Sequence, residues 1–268
     1  MQTSPQIQGV AAGVPFVALP PADVSAATPV VFTWHLMDAP RSAVAMASAL
    51  PMAGLPAWRV YLGLPMAGAR LPEGGFDEFF RRASEDYVLN VAEPVTEQAA
   101  NEFPSVLAEL RCQLSLPDGP VGVAGGSAGA TIALEVLARA EVAIDAAALV
   151  SPVTQLAPAV AANERRFGLT YGWTERSRAV ADRYDFVRRA GELDAHVLLV
   201  VGEQDDIAFR EPAAALHDVL GERSRLVVVP AMEHALAEEP GLDAAPQTPH
   251  AATVDAEFTA WFAKHLRA

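Results

Sequence analysis

Apolar positions fall into two patterns along this chain: short, nearly continuous runs, and longer stretches in which they return every three or four residues. The short runs are rich in Val, Leu and Ala and bounded by Gly, Pro or Asp, which predicts strands. They occupy residues 30–34, 58–62, 121–124, 146–150, 197–201 and 226–229. Ahead of them, residues 7–12 and 15–19 flank Gly13 and read as a hairpin. Between the runs, Phe103, Val106, Leu107, Leu110 and Leu114 recur at helical spacing, as do Ile132, Leu134, Val136 and Leu137. These segments read as crossover helices. A last helix carries Val254, Phe258, Trp261, Phe262 and Leu266 on one stripe, with Asp255 and Glu257 read as its first turn and Lys264, His265 and Arg267 as its last, the order a helix dipole favours.

Strands alternating with helices predict an α/β fold over residues 1–268: a mainly parallel, eight-stranded sheet with helices on both faces. Two stretches fit no simple crossover. Residues 65–94 are rich in Gly and Phe, and residues 157–193 form a polar-aromatic helical insertion between two strands. The insertion leaves one strand's carboxyl end and returns to the next. Its predicted place is a small cap over the rim where open α/β sheets bind ligands.

A chain of 268 residues with 51% hydrophobic content can bury a large core without disulfides or metals. Its 33 acidic residues against 19 basic ones give a charge of −14, which repels phosphate backbones and anionic headgroups, so neither nucleic acid nor membrane is an expected partner. The single cysteine, Cys112, sits between Leu110 and Leu114 and reads as a core residue. No Lys or Arg occurs in the first ten residues, and Gly13, Pro15 and Pro20 break the apolar stretch that follows. No signal peptide or membrane helix is expected, and the expected location is cytoplasmic.

The candidate chemistry begins at Gly125-Gly126-Ser127-Ala128-Gly129, a G-x-S-x-G sequence between a strand and a helix. That context holds a serine on a sharp bend with its oxygen exposed, and small residues on either side let strand and helix approach. With 11 serines and 18 glycines in 268 residues, about 0.05 such matches arise by chance. A dinucleotide-binding turn fails on spacing, because Gly122, Gly125, Gly126 and Gly129 never supply G-x-G-x-x-G. A serine nucleophile needs a base, and the base needs a carboxylate to fix its tautomer. His234 follows the run 226–229, and Glu203, Asp205 and Asp206 follow the run 197–201. Any of these three carboxylates satisfies the pattern. His196, His217, His250 and His265 read as surface or structural residues, and no H-E-x-x-H or paired-cysteine spacing marks a metal site.

These segments resemble the α/β-hydrolase superfamily over nearly the whole chain. Gly202-Glu203-Gln204-Asp205 is similar to its acid turn, which points to Asp205, and Met232-Glu233-His234 resembles its histidine loop. Gly125-Gly126-Ser127 is similar to the elbow of stand-alone esterases related to prolyl-oligopeptidase catalytic domains. The resemblance implies a serine esterase with a Ser127, His234 and Asp205 triad, a covalent acyl-enzyme, a small-molecule ester substrate and no cofactor. Acyl transfer, perhydrolysis or amide hydrolysis on the same triad, or binding without turnover, are the rival readings. Ala128 N–H is the first oxyanion donor. In the loop after the third strand, His35 fits the family's histidine but Leu36 replaces its glycine, so the second donor is Leu36 or Met37. Pocket walls are expected from Phe76, Phe79, Phe80, Phe167, Tyr171 and Trp173.

Overall fold

A computed structural model describes residues 6–267 of the chain. Its strands are β1 (Ile7–Ala11), β2 (Val14–Leu19), β3 (Val30–Trp34), β4 (Trp58–Leu62), β5 (Val121–Gly126), β6 (Ala146–Val150), β7 (His196–Gly202) and β8 (Ser224–Val229). They form one sheet in the order β1-β2-β4-β3-β5-β6-β7-β8. The hairpin β1–β2 and the β2–β4 pair are antiparallel, and all pairs from β4 to β8 are parallel. Every residue of β3, β4, β5 and β6 is buried, Thr33 and Arg59 included, which is why these strands read as near-continuous apolar runs.

Alternation along each strand divides the core in two. Val30, Phe32, Trp34, Val123, Leu149, Val197 and Leu199 face one layer, whereas Val31, Ala124, Ala148, Val150, Leu198 and Val200 face the other. The helices are α1 (Ala43–Ala49), α2 (Gly75–Tyr87), α3 (Glu93–Leu114), α4 (Ala128–Arg139), α5 (Leu156–Phe167), α6 (Glu175–Arg183), α7 (Ile207–Leu220) and α8 (Pro249–His265). Helices α1 and α8 cover the second layer; α3, α4, α5, α6 and α7 bury residues in the first. None of the described helices is long and apolar enough to cross a membrane.

Two expectations fail. Cys112 is exposed. Helix α3 buries Val95, Ala99, Phe103, Val106 and Leu110, and a residue two beyond Leu110 is rotated about 200° around the axis, onto the solvent side. Helix α8 starts one to two turns earlier than Asp255 and Glu257 suggested. Thr248 caps it by accepting the Ala251 N–H, and Pro249 fills the first position, where a missing N–H costs nothing. Asp255 instead accepts the Met52 N–H at 2.7 Å, and Glu257 pairs with Arg225 at 3.1 Å.

Residues 65–94 are helical for much of their length. α2 has no fully buried residue, and a π-helical segment, Val88–Ala92, leads from it into α3. The insertion 157–193 supplies α6 and nearly all of α5. Because β3, β4, β5, β6, β7 and β8 are parallel, the loops leaving them all emerge on one edge of the sheet.

Candidate active site

Strand β5 ends at Gly126 and α4 begins at Ala128, so Ser127 alone makes the turn, with φ 49° and ψ −116°. Left-handed backbone at a residue with a Cβ costs about 1–3 kcal/mol and persists only where its surroundings impose it. Here the Ser127 N–H donates to the Val150 carbonyl at 3.1 Å. Strand and helix also touch backbone to backbone. A Cβ on Gly125 would sit 2.2 Å from the Gly129 carbonyl oxygen, and one on Gly129 would sit 2.4 Å from that of Trp34.

Two neighbouring loops bring up the partners. The Glu203 N–H donates to the Val229 carbonyl and the Gln204 N–H to the Met232 carbonyl, each at 2.9 Å, which fastens the loop after β7 to the loop after β8. His234 Nε2 then lies 2.9 Å from Ser127 Oγ, and Nδ1 lies 3.0 Å from both oxygens of Asp205. An ionised carboxylate only accepts, so Nδ1 carries the proton and Nε2 presents its lone pair to the serine hydroxyl. The Asp205 side chain is 1% exposed and also accepts the Asp206 N–H at 2.7 Å. The Phe209 ring packs against the imidazole at a centroid distance of 4.3 Å.

The other two carboxylates have other partners. Asp206 caps α7 through the Ala208 N–H at 2.8 Å and pairs with Arg165 at 2.7 Å. Partial burial works against its charge, but those two partners hold the Asp206 carboxyl below the usual carboxylate range. Glu203 accepts the Ala231 N–H at 3.0 Å on the surface.

Of the two candidates in the loop after β3, Leu36 is already engaged. Its N–H donates to the Pro40 carbonyl at 3.2 Å, and its side chain is fully buried beneath Gly126. Met37 and Ala128 donate to no backbone carbonyl among the described residues, and both line the cavity beside Ser127. His35 is 1% exposed; its Nδ1 donates to the Leu36 carbonyl at 2.6 Å and its Nε2 accepts the Leu64 N–H at 3.2 Å. Burial pushes its pKa down to about 4, against the opposing pull of the Leu36 bond, so it is a neutral strut of this loop.

No protein-family model and no curated protein sequence matches the chain. Solved structures match it in shape. A dienelactone hydrolase from Anabaena variabilis is 18% identical with a TM-score of 0.60, over 98% of this chain and 99% of that one. A cold-adapted esterase from an Arctic intertidal metagenomic library is 18% identical with a TM-score of 0.62, over 98% and 93%. A Mycobacterium tuberculosis puromycin-hydrolyzing peptidase is 17% identical with a TM-score of 0.65, over 98% of this chain but 40% of that one. The chain has the α/β-hydrolase fold.

On this α/β-hydrolase sheet, Ser127 and His234 open into a cavity of about 1270 Å³. Phe76, Phe79, Phe80, Phe167 and Tyr171 line it. Trp173 does not, which corrects the sequence reading. Its N–H donates back to the Tyr171 carbonyl at 3.1 Å in a tight turn, and its ring lies against Tyr171 at 4.8 Å with Arg178 over it at 5.6 Å. Arg165 and Arg166 are engaged by Asp206 and Asp38, and Arg176 lies 3.8 Å from Glu93. Sequence reasoning missed the inner wall of Val95, Val153, Leu156, Val160 and Tyr184. The spacing of Leu156 and Val160 was a helical signal, but core and pocket wall share it. Among the described residues, no group of three His, Cys, Asp or Glu side chains could hold a metal ion.

Proposed function

We propose that this chain is a serine hydrolase that cleaves a carboxylic ester through a covalent acyl-enzyme. Ser127 Oγ attacks the carbonyl carbon while His234 Nε2 takes its proton, and the N–H groups of Ala128 and Met37 hold the negative oxygen that forms. Collapse expels the alcohol, which His234 protonates, and leaves the acyl group on Ser127. Water then gives a proton to the same Nε2 and adds to the acyl carbon. Ser127 departs with that proton and the acid is released. Asp205 keeps the Nδ1 proton in place and stabilises the imidazolium.

The observation that carries this reading is the unbroken hydrogen-bonded line from Asp205 through His234 to Ser127, at 3.0 and 2.9 Å, buried at one end and open to a large cavity at the other. The esterase and dienelactone hydrolase that share the fold support acyl hydrolysis as the class of reaction. A cavity of about 1270 Å³ with aromatic walls has room for an ester with a sizeable apolar acyl or alcohol group. Turnover of p-nitrophenyl esters of graded acyl length tests the proposal. Ser127→Ala is expected to lower kcat about 10⁴-fold or more with an unchanged melting temperature. Turnover near the wild-type rate would remove Ser127 from the mechanism.

A further inference from the structure

The loop after β3 carries a carboxylate that the triad leaves unused. Asp38 directly follows Met37, and its two oxygens are placed differently. Oδ1 accepts a hydrogen bond from Arg166 Nη1, on the last turn of α5, at 3.1 Å. Oδ2 accepts from no donor of the described residues and lies 4.0 Å from His234 Nε2, the nitrogen that meets Ser127 Oγ at 2.9 Å. That separation is too long for a direct hydrogen bond and short enough for one water to bridge. The side chain is 24% exposed and lines the cavity, so water reaches it.

The next step rests on the triad mechanism proposed above. The water that releases the acyl group must sit between Nε2 and the acyl carbon. One of its O–H bonds points at Nε2. The direction of its lone pair toward the carbon is fixed only if the second O–H also has an acceptor.

We propose that Asp38 Oδ2 is that acceptor, and that Asp38 is a positioning residue selecting water over alcohol as the second nucleophile. As the water oxygen bonds to the acyl carbon, one proton passes to Nε2 and the other stays on oxygen, bonded to Asp38. The Ser127 Oγ–acyl bond then breaks, the proton on Nε2 passes to Oγ, and the carboxylic acid leaves. An alcohol has a single O–H, which Nε2 uses, and its alkyl group would meet the carboxylate. Arg166 keeps Oδ1 occupied, so Oδ2 stays turned toward Nε2.

Stopped-flow hydrolysis of p-nitrophenyl butyrate, with and without added methanol, tests this. Asp38→Asn keeps the shape and the oxygen facing Arg166 but puts an N–H₂ donor where the water needs an acceptor. It is expected to slow deacylation roughly 10- to 100-fold, so that a burst of p-nitrophenol develops and a butyryl adduct appears by intact mass. The ratio of methyl butyrate to butyrate should rise with it. Arg166→Ala, at an exposed position, should move burst and ratio in the same direction by less. Wild-type deacylation and partition in Asp38→Asn would overturn the proposal. So would equal loss of acylation and deacylation, which would make Asp38 a structural residue. A wild-type protein that forms no acyl-enzyme and is matched by Ser127→Ala would instead overturn the triad reading, and this proposal with it.

Discussion

Asp205 and Asp206 are adjacent carboxylates with unlike partners: Asp205 is sealed against His234, and Asp206 is tied to a helix end and an arginine. Asp205→Asn should therefore cost about 10⁴ in kcat, because an amide no longer enforces the Nδ1 tautomer. Asp206→Ala should keep its turnover but lose about 1 kcal/mol of stability, the usual cost of an N-cap, read as a lower melting temperature. A larger activity loss at Asp206 would reverse the assignment. His35 gives a second prediction, in pH. The folded protein binds its proton only near pH 4, whereas an ordinary histidine does so near 6.5. Between those values the unfolded chain binds more protons, so His35's contribution to stability is complete above pH 6.5 and is lost as pH falls toward 4. Denaturant unfolding at pH 7 and pH 5 should show a smaller difference in His35→Gln than in wild type. An equal difference would mean that His35 has the same pKa in the folded and unfolded chain.

At the scale of elements, what the sequence showed depended on what buried each segment. β3, β4 and β6 match the runs at 30–34, 58–62 and 146–150 because both of their faces are covered. β8 begins two residues before its apolar run, since Ser224 and Arg225 pair with β7 on a half-exposed edge. α2 escaped notice because it buries nothing fully: Glu78, Arg81, Arg82 and Glu85 satisfy one another along its outer face, while Phe76, Phe79 and Phe80 turn to the cavity. Neither pattern could tell Leu36 from Met37, because the loop's turn through Pro40 decides which N–H is free. The same lesson applies to Trp173, whose chemistry suited a pocket but whose backbone turn points it elsewhere. Trp173→Ala should lower the melting temperature and leave the ranking of ester substrates as it was. Phe79→Ala, in the cavity wall, should change that ranking while a small acetate ester is still hydrolysed. A reranking by Trp173→Ala would return it to the site.

For the whole molecule, parallel strands put six loops on one edge of the sheet, and three of them meet at Ser127, His234 and Asp205. Chain order made this meeting readable, since a serine turn, a carboxylate loop and a histidine loop each follow a strand. Cavity shape was not readable, because α2, α5 and the segment joining α5 to α6 set it through contacts distant in sequence. In the proposed mechanism the fold makes Ser127 a nucleophile. The most direct test of this central claim is stoichiometric reaction with a fluorophosphonate, followed by intact mass and peptide mapping. One phosphonyl group per chain on Ser127 is predicted, absent from Ser127→Ala and strongly slowed in His234→Ala. Labelling that persists in Ser127→Ala, or a native protein that stays unlabelled, would contradict it.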